Sequence, residues 1–491
     1  MMKVVLLPLL LFAVTAFSQE EETPGAAAAA PETEVRETPK GPPRPSMLED
    51  EPKEEEKIEP KAELKPAPKP EPKPEPKPEA KPELKPEPKS APVPAAKAIG
   101  PDDEYDFVKT AAQDADGAIQ KAAIEELGLF ARRHPDAPQT PEVLFLRAQL
   151  MQKQGDWQPA ATAFLRLIHE FPGSKTALSA KSAYLEAIDK KASRRQRPLL
   201  GALVSVADDS DKGARLSALW QRLVAQIPDA IYESAAEEIN AVFARFPGLK
   251  DADKLQVALA RLHAVNNQPA AALVSWRKLL ALHPVSAQRA NAQMAVGDLY
   301  ADSLRDPKKA IDAYQELLEK YPKAPEVLPA LERSAQLFNE KLRQYALAVE
   351  VNEKIVKLSP KTPASLKALK SIAKLQRDRL SLPEDAIKTL MHLSSMHGGQ
   401  DGVDALLQAS EYARRDLKDY ARQAELLRKV SDDYAGADEA PRALYDSAGV
   451  YEDSLKDNAK AIEVYKDVAN KFPSHKLAKR GLDRAAKLET K

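Results

Sequence analysis

One local mark recurs along this chain at a nearly fixed interval, and it limits what the chain can fold into. The mark is a residue, most often aromatic or histidine, followed by proline: His134-Pro135, Phe171-Pro172, Phe246-Pro247, His283-Pro284, Tyr321-Pro322, Ser359-Pro360 and Phe472-Pro473. Successive prolines lie 37 or 38 residues apart, except for gaps of 75 and 113, which are two and three periods. A period of this size, held from about residue 117 onward, predicts stacked helical units, none of which can bury its apolar face alone.

Twelve residues ahead of each proline stands a small residue: Ala123, Ala160, Ala235, Ala272, Ala310, Ala348 and Ala461, with Ala386 in the same place ahead of Gly398. Four residues later comes a large apolar one in most units, including Leu127, Phe164, Ile239, Trp276, Tyr314, Leu390 and Tyr465; Asn352 breaks the pattern. A third apolar position follows three further on. Offsets of 0, 4 and 7 share one helix face. The small residue lets two helix backbones approach, and the large ones fill the groove beside them. Proline closes each unit because it disfavours helical geometry in the residue before it. The other half of a unit also reads as helix. Over Thr140–Gln154, Leu144, Ala148 and Met151 form the inner stripe, and Gly155-Asp156 makes the turn into the second helix. The segment YADSLRDPKKAIDAYQELLEKYP from Tyr300 nearly repeats as YEDSLKDNAKAIEVYKDVANKFP from Tyr451, four periods on, which argues for duplication.

The set Leu144, Ala148, Met151, Gly155, Asp156, Ala160, Phe164, Leu167 and Pro172, with its analogues in later units, resembles the tetratricopeptide repeat family over about four-fifths of the chain. The resemblance implies an all-α fold, an α-solenoid of about ten antiparallel helix pairs over 101–491, that binds other proteins. Units here run three to four residues longer than the family's usual 34. Units near Arg194–Gly213 and Tyr420–Gly436 have degenerate anchors, with Gln423 where alanine is expected, and distortion is expected in both.

Residues 1–18 read as a secretory signal peptide: Lys3, an apolar run Val4–Val14, and Ala16 and Ser18 before a cut ahead of Gln19. With no cysteine in the chain, neither lipid attachment at a cleaved N-terminus nor a disulfide framework is expected. Residues 19–100 form a linker of different composition. Gln19–Pro60 carries thirteen acidic and five basic side chains; Lys61–Lys97 carries nine basic and six acidic. Lysine recurs every fourth residue from Lys65 to Lys89, and proline follows each of these except the last. Such a stretch favours extended polyproline II geometry and lacks the apolar content to build a core. It resembles the proline-lysine-glutamate arms of envelope-spanning energy transducers such as TonB, which implies a long spacer in a bacterial envelope.

No catalytic motif appears. The seven histidines are scattered without a HExxH arrangement, and no G-x-S-x-G elbow or phosphate-binding glycine loop is present. Glu233-Ser234 superficially matches the catalytic dipeptide of lytic transglycosylases but lies inside a repeat with no glycine-rich motif after it. Net charge is −1, with 73 basic and 74 acidic residues and no basic stripe, which argues against nucleic acid. The reading is therefore a non-catalytic periplasmic or secreted scaffold without cofactor or metal. Its expected partners are other envelope proteins or extended peptides, with membrane association at most peripheral or through partners. It would serve outer-membrane assembly, cell-wall synthesis or a trans-envelope machine such as a gliding-motility apparatus. Repeat packing falls to Ala123, Ala160, Phe164, Ala235, Ala272, Trp276, Ala310, Tyr314, Ala348, Ala386, Ala461 and Tyr465. Partner binding is expected on first helices, at Asp298, Tyr300, Asp302, Tyr445, Tyr451 and Asp453, although Tyr300 and Tyr451 fit a core position equally well.

Overall fold

The computed structural model of the protein describes residues 100–490; the expected signal peptide and the linker up to residue 99 lie outside the described residues. Within them are 21 α-helices and no strand. They pair in chain order: α1 (Pro101–Ala112) with α2 (Gly117–Arg133), α3 (Thr140–Gln154) with α4 (Trp157–Glu170), and α5 (Lys175–Lys191) with α6 (Gln196–Ala202). Next come α7 (Lys212–Gln226) with α8 (Tyr232–Arg245), α9 (Ala252–Val265) with α10 (Pro269–Leu282), and α11 (Arg289–Asp298) with α12 (Pro307–Lys320). The series continues with α13 (Val327–Glu340) and α14 (Tyr345–Leu358), α15 (Pro363–Asp378) and α16 (Pro383–His397), α17 (Gly399–Tyr412) and α18 (Tyr420–Asp433), and α19 (Ala440–Asp453) and α20 (Asn458–Lys471). A last helix, α21 (Lys476–Glu489), covers the end of this stack. Ten pairs and a closing helix match the solenoid expected from the period.

The second helix of each pair carries the packing residues. Ala160, Ala235, Ala272, Ala310, Ala348, Ala386 and Ala461 are fully buried, Ala123 nearly so, and Phe164, Trp276, Tyr314 and Tyr465 lie against them in the core. The first helix contributes the complementary surface. A Cβ built on Gly297 of α11 would lie 2.3 Å from Cε1 of Tyr314, so the ring sits directly on bare backbone. A Cβ on Gly402 of α17 would likewise meet the hydroxyl of Tyr434 at 2.3 Å, and that hydroxyl donates to the Ser394 carbonyl oxygen at 2.8 Å. Asn352, the break in the apolar pattern, is buried and donates its amide to the Ala348 carbonyl at 2.7 Å, which satisfies it within its own helix.

Both kinds of turn repeat. Before the prolines, His134, Phe171, Phe246, His283, Tyr321, Ser359 and Phe472 all leave the helix with φ between −119° and −133° and ψ between 53° and 69°. Tyr434 adopts nearly the same geometry (φ −131°, ψ 47°) ahead of alanine, so packing sets this exit and proline reinforces it. Between the two helices of a pair, Gly155 takes φ +92° as expected. Later units place Asn267, Arg305, Arg343, Ser381, Lys418 and Lys456 at φ +54° to +56°, spaced 37 or 38 residues apart. Non-glycine residues accept the left-handed conformation here because the flanking hydrogen bonds hold it; Gln344 N–H, for instance, donates to the Phe338 carbonyl at 2.8 Å. The aspartates shared by the two near-identical segments start the next helix: Asp306 and Asp457 accept from the N–H groups of Lys309 and Lys460 at 3.1 and 3.0 Å.

The two degenerate units differ. Near Arg194–Gly213 the second helix shrinks to the seven residues of α6, and α4 packs directly on α7 and α8. Around Tyr420–Gly436 the expected distortion is absent: α18 has fourteen residues, because Ala424, one position beyond Gln423, supplies the buried small residue.

Two substitutions test this account. Ala310→Leu should destabilise by about 1–3 kcal/mol through overpacking, with hydrogen exchange rising first over 285–345. Arg343→Gly should stabilise by about 0.5–1 kcal/mol, since relief of left-handed strain exceeds the added chain entropy. Denaturant midpoints read both.

Candidate functional site

Five of the six residues expected to bind partners are spread over three grooves, Asp298 and Asp302 in one, Tyr300 in a second, and Tyr445 and Asp453 in a third. The largest holds about 670 Å³ and runs across three successive first helices, α11, α13 and α15. Asp298 and Asp302 line it together with Glu332, Arg333, Gln336, Asn339 and Glu340 of α13 and Lys367 and Ser371 of α15. Their geometry is fixed from below. The Tyr314 hydroxyl donates to Asp298 Oδ1 at 2.6 Å, and Arg333 pairs with Asp298 at 3.4 Å and with Asp302. Burial and the neighbouring Asp298 carboxylate push the Tyr314 hydroxyl well above the usual tyrosine range, and Asp302 raises the Arg333 guanidinium. Both groups therefore stay protonated, and the two aspartates stay paired across the unit boundary.

Tyr445 and Asp453 line another groove of about 500 Å³ with Gln423, Tyr465 and Arg484. Here the Tyr465 hydroxyl donates to Glu452 at 3.1 Å and Arg484 Nε donates to the same carboxylate at 2.8 Å. Tyr314 and Arg333 stand 151 residues before Tyr465 and Arg484, so the duplicated segments build the same tyrosine–carboxylate–arginine clamp. The acid comes from positions about one helical turn apart, which is why comparing the two segments letter by letter does not find it. Tyr300 is 8% exposed and packs in the core, while its hydroxyl accepts from Arg277 at 2.7 Å at the wall of a groove of about 450 Å³. Tyr451 is half-buried beneath Lys460, whose ammonium lies 5.6 Å from the ring centre.

A further ionisable cluster fills the gap left by the short α6. Glu170, at the end of α4, is buried and accepts from Arg166 at 3.0 Å and Arg245 at 3.1 Å. Arg215 caps the end of α4 by donating to the carbonyls of His169 and Glu170 at 2.7 and 3.1 Å. His169 Nε2 donates to the Leu203 carbonyl at 2.8 Å, and burial pushes its imidazole down to about 4. Every one of these groups serves a neighbouring backbone or charge, so the cluster replaces a missing helix. Elsewhere, Ser234 is buried while Glu233 faces solvent, so this dipeptide does not form a joint site. Among the described residues, no group of three His, Cys, Asp or Glu could hold a metal ion, and no helix is long and apolar enough to cross a membrane.

These features define a helix-pair solenoid whose first helices expose polar grooves. The tetratricopeptide repeat family matches residues 142–174, 291–324 and 442–475, so the chain carries tetratricopeptide repeats in those three segments. The second and third matches contain Tyr314 and Tyr465, the rings of the two clamps. No curated protein matches it in sequence. Among solved structures, it resembles a tetratricopeptide repeat protein from Parabacteroides merdae (17% identity, 56% of this chain and 98% of that one, TM-score 0.30). It also resembles PilW, a type IV pilus biogenesis factor (18% identity, 47% and 99%, TM-score 0.27). A third likeness is the TPR2AB domain of yeast Sti1, solved as a complex with pHSP90 (13% identity, 57% and 98%, TM-score 0.28).

His169 gives a pH prediction. Its folded value of about 4 lies below the unfolded value near 6.5, so the neutral form stabilises the fold above that pH. Stability should fall as pH drops from 6.5 towards 4, by up to about 3 kcal/mol from this group. His169→Gln keeps a donor for Leu203 and should flatten the dependence in that window, read from urea midpoints at pH 7.5 and 5.

Proposed function

We propose that this chain is a non-catalytic scaffold that holds other proteins of a bacterial cell envelope on the face made by its first helices. The observation that carries this reading is the 670 Å³ groove across α11, α13 and α15. It is long enough to receive an extended segment, and the clamp of Tyr314, Asp298 and Arg333 fixes its wall before any partner arrives, so little ordering cost remains at binding. Its rim mixes Glu332, Gln336, Asn339 and Lys367, groups suited to reading a polar backbone. The envelope location rests on the signal-like residues 1–18 and on the proline-rich linker, which supplies reach. In this reading the repeats bind and the linker sets local concentration.

The test is crosslinking in native cells to identify the partner, followed by affinity measurement. Glu332→Lys combined with Lys367→Glu keeps net charge and should weaken capture at least tenfold without moving the melting temperature. Lys354→Glu on α14 should leave capture unchanged. Equal binding by all three proteins would contradict the proposal, and peptidoglycan turnover by the purified protein would contradict its non-catalytic part.

A further inference from the structure

The 450 Å³ groove beside Tyr300 lies between two successive second helices, α10 and α12, with one face of α11 as its floor. Its two ends are built alike. At one, the Tyr300 hydroxyl accepts from Arg277 at 2.7 Å, and Lys309 Nζ lies 5.8 Å from the centre of the same ring. At the other, the Tyr321 hydroxyl accepts from Arg289 at 2.9 Å, beside Lys320. Among the described residues, neither guanidinium pairs with a carboxylate, and neither tyrosine donates its own proton to a neighbour. Lys309 and Lys320 stand eleven residues apart on α12, about 16 Å along the axis. Between the ends, Glu316 accepts from Gln293 at 2.9 Å and pairs with Lys320, and Asp312 is exposed on the wall. The duplicated segment, 151 residues on, carries the same scaffold without this groove chemistry. Arg428 and Tyr451 correspond to Arg277 and Tyr300, but Arg428 pairs with Asp467 at 2.9 Å and with Glu463 at 3.9 Å. Ala440, Leu444 and Phe472 stand there in place of Arg289, Gln293 and Tyr321, so the second polar end is missing.

We infer that the α10–α12 groove binds an acidic oligosaccharide, with a carboxylate seated at each end and sugar hydroxyls between them. A guanidinium and a tyrosine O–H side by side make a two-donor seat for an oxyanion, and charge-assisted bonds of this kind are the strong ones. A hydroxyl that accepts from a guanidinium is polarised by it and donates more strongly in turn. The stretch between the seats selects the rest of the ligand. Carboxylates only accept hydrogen bonds, so Asp312 and Glu316 receive sugar hydroxyls and repel a chain that is anionic along its whole length. A volume of about 450 Å³ falls in the range of small-ligand sites. The site is separate from the partner-binding groove across α11, α13 and α15, and neither reading requires the other.

The test is calorimetric titration of the full chain with trigalacturonate, and with maltotriose, tripolyphosphate and hexaglutamate as comparisons. Lysines elsewhere attract any anion, so the quantity scored is the binding that Arg277→Gln removes. Trigalacturonate should bind, weaken at least tenfold in Arg277→Gln, and weaken with rising salt. Arg277 is exposed, and an unchanged circular dichroism melt confirms folding. Tyr321→Phe, which copies Phe472 of the duplicated segment, is the second variant and should weaken trigalacturonate about fivefold. Arg428→Gln should leave its affinity unchanged. Maltotriose, which has the hydroxyls without the carboxylates, should bind at least tenfold more weakly. Absence of trigalacturonate binding, or binding that Arg277→Gln leaves intact, overturns the inference. So does a larger Arg277-dependent affinity for tripolyphosphate or hexaglutamate, which would assign the groove to a uniformly charged chain. The Glu332→Lys/Lys367→Glu protein should bind trigalacturonate normally, so loss of the protein partner and loss of this ligand are separate results.

Discussion

The structure depends on one close contact, a large ring or aliphatic side chain from a second helix laid on nearly bare backbone of a first helix. Tyr314 on Gly297 is the clearest instance, and Ala310 clears the space one turn away on the same helix. Here the approach buries the Tyr314 ring, and its hydroxyl then needs a polar partner, which Asp298 supplies. Because the contact joins neighbours and nothing further, the core forms as a succession of clusters along the chain. It also decides which surface is left over. The second helices are committed to their neighbours, and the outer faces of the first helices carry grooves.

The sequence made the periodic part of this legible. Alanine at a fixed distance before proline located the packing helix, because few other residues tolerate that approach, and Gly155 located a turn. What it concealed follows from packing overriding local preference. Arg305, Arg343 and Lys418 take a left-handed turn that their chemistry alone disfavours, since flanking hydrogen bonds hold it. Gln423 marked a degenerate unit, yet a neighbouring alanine restored the crossing. Tyr300 was ambiguous because an aromatic suits core and surface equally, and in the structure its ring packs in the core while the residue also lines a groove. Arg333 and Arg484 went unnoticed because each acts on the preceding unit, more than thirty residues away in the chain.

The gap at α6 shows how a repeat array survives the loss of an element. Where a full second helix would have covered the end of α4, buried Arg215 takes up its free carbonyls, and the buried Glu170 carboxylate balances Arg166 beside it. Removing one partner from such a network leaves a buried charge uncompensated, which is costly, so the junction is held tightly at neutral pH. The first-helix face is thereby kept in register across it.

Hydrogen exchange over the whole chain at neutral pH tests the central claim most directly. If close crossings between neighbours hold the solenoid, the slowest amides recur every 37 or 38 residues on the second helices, in phase with Ala123 through Ala461. Protection that is uniform along both helices of every pair, or that peaks on the first helices, would contradict it.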